Sequence, residues 1–380
     1  VRLFQYGELK IKVAFYAEIS YYRVIKVQKD KNHKYKKRAN LMYENISHYI
    51  DACDAPKVED PIISVVITSR AEAWPILCMT LQNIQENLNS SRWLKGRWEC
   101  LVVFNSNEED KDVEGETRFK ECNLRKFGAF RYVRTNEPSS SIARSAGVYE
   151  AIGDYVYIGD SHQIFGFNFF ESLIRSYETI AEYHPIGILH SALGWMSGVP
   201  DKDLCDRYTP LLKAKFWGNW HRTNSLEPHI ICMKGTSFLM LRKYALEIGL
   251  WNLNFKPYGG NEPYLNLKVW RLGQEVWVDP RIYVWHLAYK RNYCWNNDIL
   301  WFNTLLAAYT IGGNEWLEMH YQRYCTYIKQ THKEPTVSRY LVNLQHIKAD
   351  VVEKGKSDME WINTNAKYTL NELMNIYAWE

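Results

Sequence analysis

From Ile62 onward, apolar residues come in short unbroken runs, each followed by a stretch where they recur at helical spacing. "IISVVIT" (62–68) is rich in β-branched residues throughout, the pattern of a strand covered on both faces. "WPILCMTLQNIQENL" (74–88) follows as a helix. "WECLVVF" (98–104) predicts the next strand, and an acidic stretch leads into a helix near 114–125. "FRYVR" (130–134), "YVYIG" (155–159) and "IGILH" (186–190) continue the strands. Helices over 140–152, with serine caps, and over 168–183 lie between them. Such alternation predicts βαβ units, hence an α/β fold with a mainly parallel sheet flanked by helices.

Beyond residue 190 the pattern changes. Residues 191–228 are irregular and rich in Trp, Gly and His, and so long an irregular segment is usually functional or flexible. Residues 229–243 read as two strands across Gly235, 261–273 as a helix closed by Gly273, and 275–286 as two short strands around Asp279-Pro280. After about residue 295 the chain reads as mostly helical, with amphipathic segments near 336–353 and 359–378. Ahead of Pro61, "LKIKVAFYAE" alternates like a strand and "ANLMYENISHYIDAC" looks helical. Three parts are expected: an N-terminal extension with a basic arm (1–60), an α/β domain (61–294) and a helical C-terminal region (295–380).

Composition narrows the class. The 380 residues are 46% hydrophobic and 24% charged, as in soluble globular proteins. Aromatics reach 15%, which serves either a large core or a groove that stacks sugars or bases. A net charge of +4 is too mild to imply nucleic acid by itself. Residues 23–38, "RVIKVQKDKNHKYKKR", nevertheless hold eight Lys/Arg and one acid, either a solvated arm or one that tracks phosphates. None of the eight cysteines has CxxC spacing, which argues against a zinc ribbon or a thioredoxin-like site. Cys78 and Cys100 read as core thiols and favour a reducing compartment. No apolar run approaches the ~18 residues of a membrane span. The expectation is a soluble, cytoplasmic protein, with a leader or anchor ahead of Val1 left open.

In open α/β sheets, ligands bind beyond the carboxyl ends of the strands. Three strands deliver polar residues there: Thr68, Ser69 and Arg70; Asn105 and Asn107; Asp160 and His162. In "GDSH" an acid and an imidazole stand two residues apart, a polar turn or one half of a metal site. Oxygen with nitrogen ligands suits a borderline divalent ion such as Mn²⁺. Two ligands are too few, and His286, which ends "VWH", is the candidate third. On its own His286 reads equally as a satisfied core or surface histidine.

The segments "PIISVVITSR", "SIARSAGVYEAIGDYVYIGDSH", "GGNEPYLNLKVWRLG" and "IYVWHLAYKRNY" occur in the order found in nucleotide-sugar glycosyltransferases of the GT-A fold. The chain resembles the polypeptide N-acetylgalactosaminyltransferases and their family-two relatives over about 62–293. The resemblance implies a GT-A (Rossmann-like) catalytic domain over 61–294 and transfer of a hexosyl or N-acetylhexosaminyl group from a UDP-sugar. It implies Mn²⁺ or Mg²⁺ held by Asp160, His162 and His286, because that family uses Asp-Ser-His and a distant histidine. Thr68, Arg70 and Asn105 fall where the family grips base and ribose. Arg144 matches the helix arginine that approaches the nucleotide, and Lys290 and Arg291 would add charge to the diphosphate. Gly259 and Gly260 let the backbone approach the sugar. Asn261-Glu262 departs from the Glu-Asn of the retaining transferases and from the Glu-Asp of inverting ones. Glu262 puts a carboxylate in the base position, as inversion requires, whereas Asp-Ser-His leans toward the retaining branch. Stereochemistry stays open.

The acceptor is a hydroxyl, on a glycan or protein by default. The Trp-rich insert 216–229 is expected to shape its groove or to close over the donor. The basic run and the aromatics also suit a hydroxymethylated base in DNA, which would have to be flipped out. A non-catalytic sugar-binding module on this fold would have no need to keep all three ligands. A nucleotidyltransferase would need a Gly-rich basic loop after the first strand, which "TSRAEAW" lacks.

Overall fold

The computed structural model describes residues 45–107, 114–127, 129–195, 205–207, 219–221, 226–228, 235–257, 259, 262–287 and 296–376. Among them are twelve strands: β1 (Ile50–Cys53), β2 (Ile63–Ser69), β3 (Trp98–Phe104), β4 (Phe130–Thr135), β5 (Tyr155–Asp160), β6 (Gln163–Phe165), β7 (Ile186–Trp195), β8 (Cys205–Arg207), β9 (Asn219–His221), β10 (Glu227–Pro228), β11 (Phe238–Leu241) and β12 (Glu275–His286). The helices are α1 (Trp74–Ser90), α2 (Glu114–Glu121), α3 (Asn123–Phe127), α4 (Ser140–Glu150), α5 (Phe169–Ala181), α6 (Arg242–Ile248), α7 (Glu262–Arg271), α8 (Asn297–Thr331), α9 (Thr336–Asn365) and α10 (Leu370–Ile376).

One sheet organises the chain, in the order β1-β4-β3-β2-β5-β11-β7-β12-β10, with β6 paired to β12 off this path. Its centre, β4-β3-β2-β5, is parallel. The sheet is mixed outside that centre. β11 runs antiparallel between β5 and β7, and β1 closes the far edge antiparallel to β4. The parallel α/β core expected from the alternation is therefore present, with antiparallel additions on both sides.

Alternate residues of the central strands feed two cores. Val66, Leu101, Val103 and Val156 share one with α4, α7, α8 and α9. Val65, Ile67, Cys100 and Val102 share the other with α1 and α5. Each such buried aliphatic contributes roughly 1.5–3 kcal/mol relative to exposure, so both faces of one strand stabilise the fold. Local signals agree with the helices. Pro75 sits in the first turn of α1, where its missing N–H costs nothing. Ser139 caps α4 by accepting from the Ile142 amide. The C-terminal helices pack onto the sheet: Trp301, Phe302, Leu305 and Leu306 of α8 join the same core as Val66. α8 bends at Gly313, which is not helical. No helix among the described residues is long and apolar enough to cross a membrane.

Several sequence expectations are corrected. "IDAC" is not the end of a helix but β1, because pairing with β4 outweighs its weak helical spacing. The strand expected after Gly235 stops at Leu241, and Arg242 opens α6. The two strands around Asp279-Pro280 are one, β12, which keeps its pairing with β7 across a register shift between Asp279 and Tyr283. Cys100 is buried as expected, but Cys78 is only partly so. The basic run 23–38 and the strand-like 9–18 lie outside the described residues.

Helix α4 lies so close to the sheet that residue 147 has no room for a side chain. A Cβ on Gly147 would stand 2.3 Å from Val66 Cγ1 and 2.9 Å from Val103 Cγ2. Overpacking of this kind typically costs about 1–3 kcal/mol. Gly147→Ala is expected to lower the unfolding free energy by that much, read by circular dichroism as a lower urea midpoint at unchanged slope.

Candidate active site

Asp160 ends β5 in parallel register with Thr68 of β2, so the two stand side by side at the carboxyl edge. After Asp160 the chain turns at once and returns as β6, which pairs antiparallel with the last residues of β12. In that ribbon Gln163 faces His286, and Leu287 N–H donates to the His162 carbonyl at 3.0 Å. The turn is held from below by Thr80 of α1. Its Oγ1 lies 3.0 Å from the carbonyls of Ser161 and Gln163 and accepts the Gln163 N–H at 3.0 Å. Gln163, fully buried, accepts from Asp160 N–H at 3.2 Å and donates to Ser237 Oγ at 2.7 Å.

This ribbon brings three ligand atoms together. Asp160, His162 and His286 each offer one, and all lie within 4.8 Å of one another. His162 Nε2 and His286 Nε2 are 2.9 Å apart, and His286 Nε2 is 3.4 Å from Asp160 Oδ2. Both rings are buried and nearly perpendicular. Two basic nitrogens and a carboxylate oxygen therefore meet at one point, where a positive charge satisfies all three. A proton or a divalent cation can supply it, so the donor set fits a borderline metal ion.

The orientation of His162 has a cause that the sequence reading missed. Glu72 accepts from His162 Nδ1 at 2.9 Å and from Ser161 Oγ at 2.6 Å. The Nδ1 proton is thereby committed to Glu72, and the Nε2 lone pair faces the other ligands. Glu72 is 4% exposed. It reaches this position through a tight turn in which Ala71 has φ +49°, anchored by its N–H to Ser106 Oγ at 2.9 Å. A positive φ at a non-glycine residue costs on the order of 1 kcal/mol, and here it delivers the carboxylate.

Arg144 closes the other side. Its Nη2 donates to Asp160 Oδ1 at 3.2 Å, and its guanidinium lies 5.6 Å from the Trp251 ring. Burial alone would raise the Asp160 pKa. The His286 hydrogen bond, with the charges of Arg144, His162 and His286, instead holds it well below the usual carboxylate range. Asp160 is thus held in its anionic form.

The remaining expected residues divide. Thr68 flanks Asp160. Arg70, half-buried, sets Nη1 3.5 Å from the Pro138 carbonyl. Asn105 is buried beyond β3, tied by its N–H to Ser69 O at 3.2 Å, while its Oδ1 has no hydrogen-bond partner among the described residues. Leaving such an atom unpaired costs about 1–3 kcal/mol, which a bound nucleoside amide would recover. Gly259 has φ +85°, a backbone state that favours glycine, and Glu262 opens α7. Gly260, Asn261, Lys290 and Arg291 lie outside the described residues, as does most of the Trp-rich insert.

Residues 64–192 match the family model Glycosyl transferase family 2. That stretch includes Asp160 and His162 but stops short of His286. No curated protein matches the sequence. Among solved structures, the fold is similar to GalNAc-T7 with UDP, GalNAc and Mn²⁺: 17% identity, TM-score 0.51, 80% of this chain and 58% of that one. It is equally similar to residues 1–349 of S. aureus TarS in complex with UDP-GlcNAc: 11% identity, TM-score 0.51, 80% of this chain and 93% of that one. The chain therefore spans little more than half of the GalNAc-T7 structure, and at these identities the likeness is one of fold. The chain thus has a GT-A-type α/β fold similar to those of GalNAc-T7 and TarS, with its match to the family-two glycosyltransferase model running through the centre of the sheet.

Proposed function

We propose that this protein transfers a sugar from a UDP-sugar to a hydroxyl acceptor with the help of a divalent cation, Mn²⁺ or Mg²⁺. One observation carries the proposal: Asp160, His162 and His286 converge within 4.8 Å at the carboxyl edge of the sheet. UDP with GalNAc in the GalNAc-T7 structure and UDP-GlcNAc in that of TarS support UDP as the donor's nucleotide. Asp160, His162 and His286 would hold that cation, which would supply Lewis-acid stabilisation to the leaving diphosphate.

The chain's own residues do the rest. Asn105 and Thr68 face the nucleoside, and the unpartnered Asn105 Oδ1 is an acceptor suited to an imide N–H. Arg144, bonded to Asp160, stands where it can turn one guanidinium edge toward a phosphate oxygen. Lys290 and Arg291 are the further cations assigned to the diphosphate by the sequence resemblance, which assigns Arg70 to base and ribose. Gly259 and Gly260 are assigned to the sugar by the sequence resemblance, and Asn261 follows them in the chain. Glu262 accepts the proton of the attacking hydroxyl as the new bond to the anomeric carbon forms and the bond to the diphosphate breaks. At the start of a helix its negative charge is favoured. The acceptor is a glycan or protein hydroxyl. The basic run 23–38 favours one further acceptor class, hydroxymethylated bases in duplex DNA.

Purified protein with Mn²⁺ is expected to release UDP from one or more UDP-sugars, with His162→Ala lowering the rate at least about 100-fold, since a catalytic cation contributes several kcal/mol. Running the screen with glycan, peptide and hydroxymethylated DNA acceptors identifies the acceptor class. Undiminished release by the variant would remove the cation from the mechanism. Glu72→Gln is expected to weaken Mn²⁺ binding about 10–100-fold, read by calorimetry, because outer carboxylates tune a ligand histidine to that extent. Glu262→Gln is expected to lower kcat about 10²–10⁴-fold with little change in the KM for donor, the signature of a lost general base.

A further inference from the structure

Resting on that reading, we propose that Asn303, in the C-terminal helical region, is a positioning residue for the donor site. It holds residues 255–257 and 259 between the helix that carries Arg144 and the helix that opens at Glu262.

Asn303 is fully buried on α8, among Phe302, Leu305 and Leu306. A side-chain amide there is costly unless its bonds are made. Three are made to one loop. Asn303 Oδ1 accepts the Lys256 N–H at 2.8 Å, and Nδ2 donates to Gly259 O at 2.7 Å and to Lys256 O at 3.2 Å. The amide thus serves this loop as a neighbouring strand serves another. The loop is fixed on its other side by the start of α4. Ser139 Oγ donates to Phe255 O at 2.9 Å, and Ser140 N–H donates to Pro257 O at 3.3 Å. Ser139 is the N-cap of the helix that presents Arg144 to Asp160. From Gly259, with φ +85°, only two residues separate the loop from Glu262.

A leucine at 303 would fill a similar volume and keep the apolar packing, so packing does not explain an asparagine. Nor is Asn303 what anchors α7 as a body. Lys268 does that from the far end of the helix, with Nζ 2.9 Å from Leu250 O, 3.1 Å from Tyr264 Oη and 3.7 Å from Asp358 of α9. The loop between α4 and α7 is therefore the part that depends on Asn303.

The test compares Asn303→Leu with Leu344→Ala, a buried α9 substitution away from the loop that destabilises by packing alone. Assays run below the melting temperature of both. Asn303→Leu is expected to lower kcat about 10–100-fold, the cost of misplacing reacting groups by about an ångström. Its Mn²⁺ affinity should stay within about twofold of wild type, as for independent sites. Leu344→Ala should keep the wild-type kcat. Amide exchange gives a readout that needs no turnover: the Lys256 amide should exchange faster in Asn303→Leu and not in Leu344→Ala. Wild-type kcat in Asn303→Leu, or an equal loss in Leu344→Ala, would overturn the proposal while leaving the glycosyltransferase reading intact. If the wild-type protein itself releases no nucleotide from any UDP-sugar, that reading fails, and unchanged Lys256 exchange in Asn303→Leu would independently overturn the clamp.

Discussion

The pairing of Gln163 with His286 is the constraint on which the site depends. Side chains alternate along a strand, so a slip of one residue in the β6–β12 ribbon would turn His286 away from Asp160 and His162. The short β6 has only three residues with which to hold that register. It is helped by Thr80 beneath the turn, by Gln163 within it and by the Leu287 amide beyond it. The long parallel contact of β12 with β7 fixes the other partner, so His286 is placed by a strand anchored along most of its length.

Electrostatics then decides what this geometry can hold. Asp160 meets cationic or proton-bearing groups on two sides, Arg144 on one and the histidines on the other. Glu72 supplies a second negative charge behind His162. Two carboxylates in a largely buried cluster are tolerated because each is bonded to donors. The arrangement gathers two imidazole nitrogens and a carboxylate oxygen around one point that a proton or a cation can occupy.

The central architecture was legible because β-branched runs alternating with amphipathic stretches have few other solutions. The convergence of Asp160, His162 and His286 was legible in part: an acid and a histidine beyond a buried strand are costly unless used. Glu72 escaped notice because an acid in "TSRAEAW" reads as a solvated residue before a helix, and its partner is 90 positions away in sequence. Asn303 looked like one polar residue in an apolar helix. The antiparallel insertion of β11 was hidden for another reason, since periodicity reports that a strand exists but not which neighbour it chooses or in which direction. Likewise Asp279-Pro280 resembled a turn, whereas β12 absorbs it as an irregularity while keeping its partner.

The separation of the two histidines also sets the order of events during synthesis. His162 and His286 lie 124 positions apart. At about 5–20 residues per second, a ribosome needs roughly 6–25 s to travel between them. The parallel centre of the sheet can collapse in that interval, but β6 has no strand to pair with until β12 emerges. The nascent chain therefore holds Asp160 and His162 without their third neighbour, and the complete cluster is among the last features of the sheet to close.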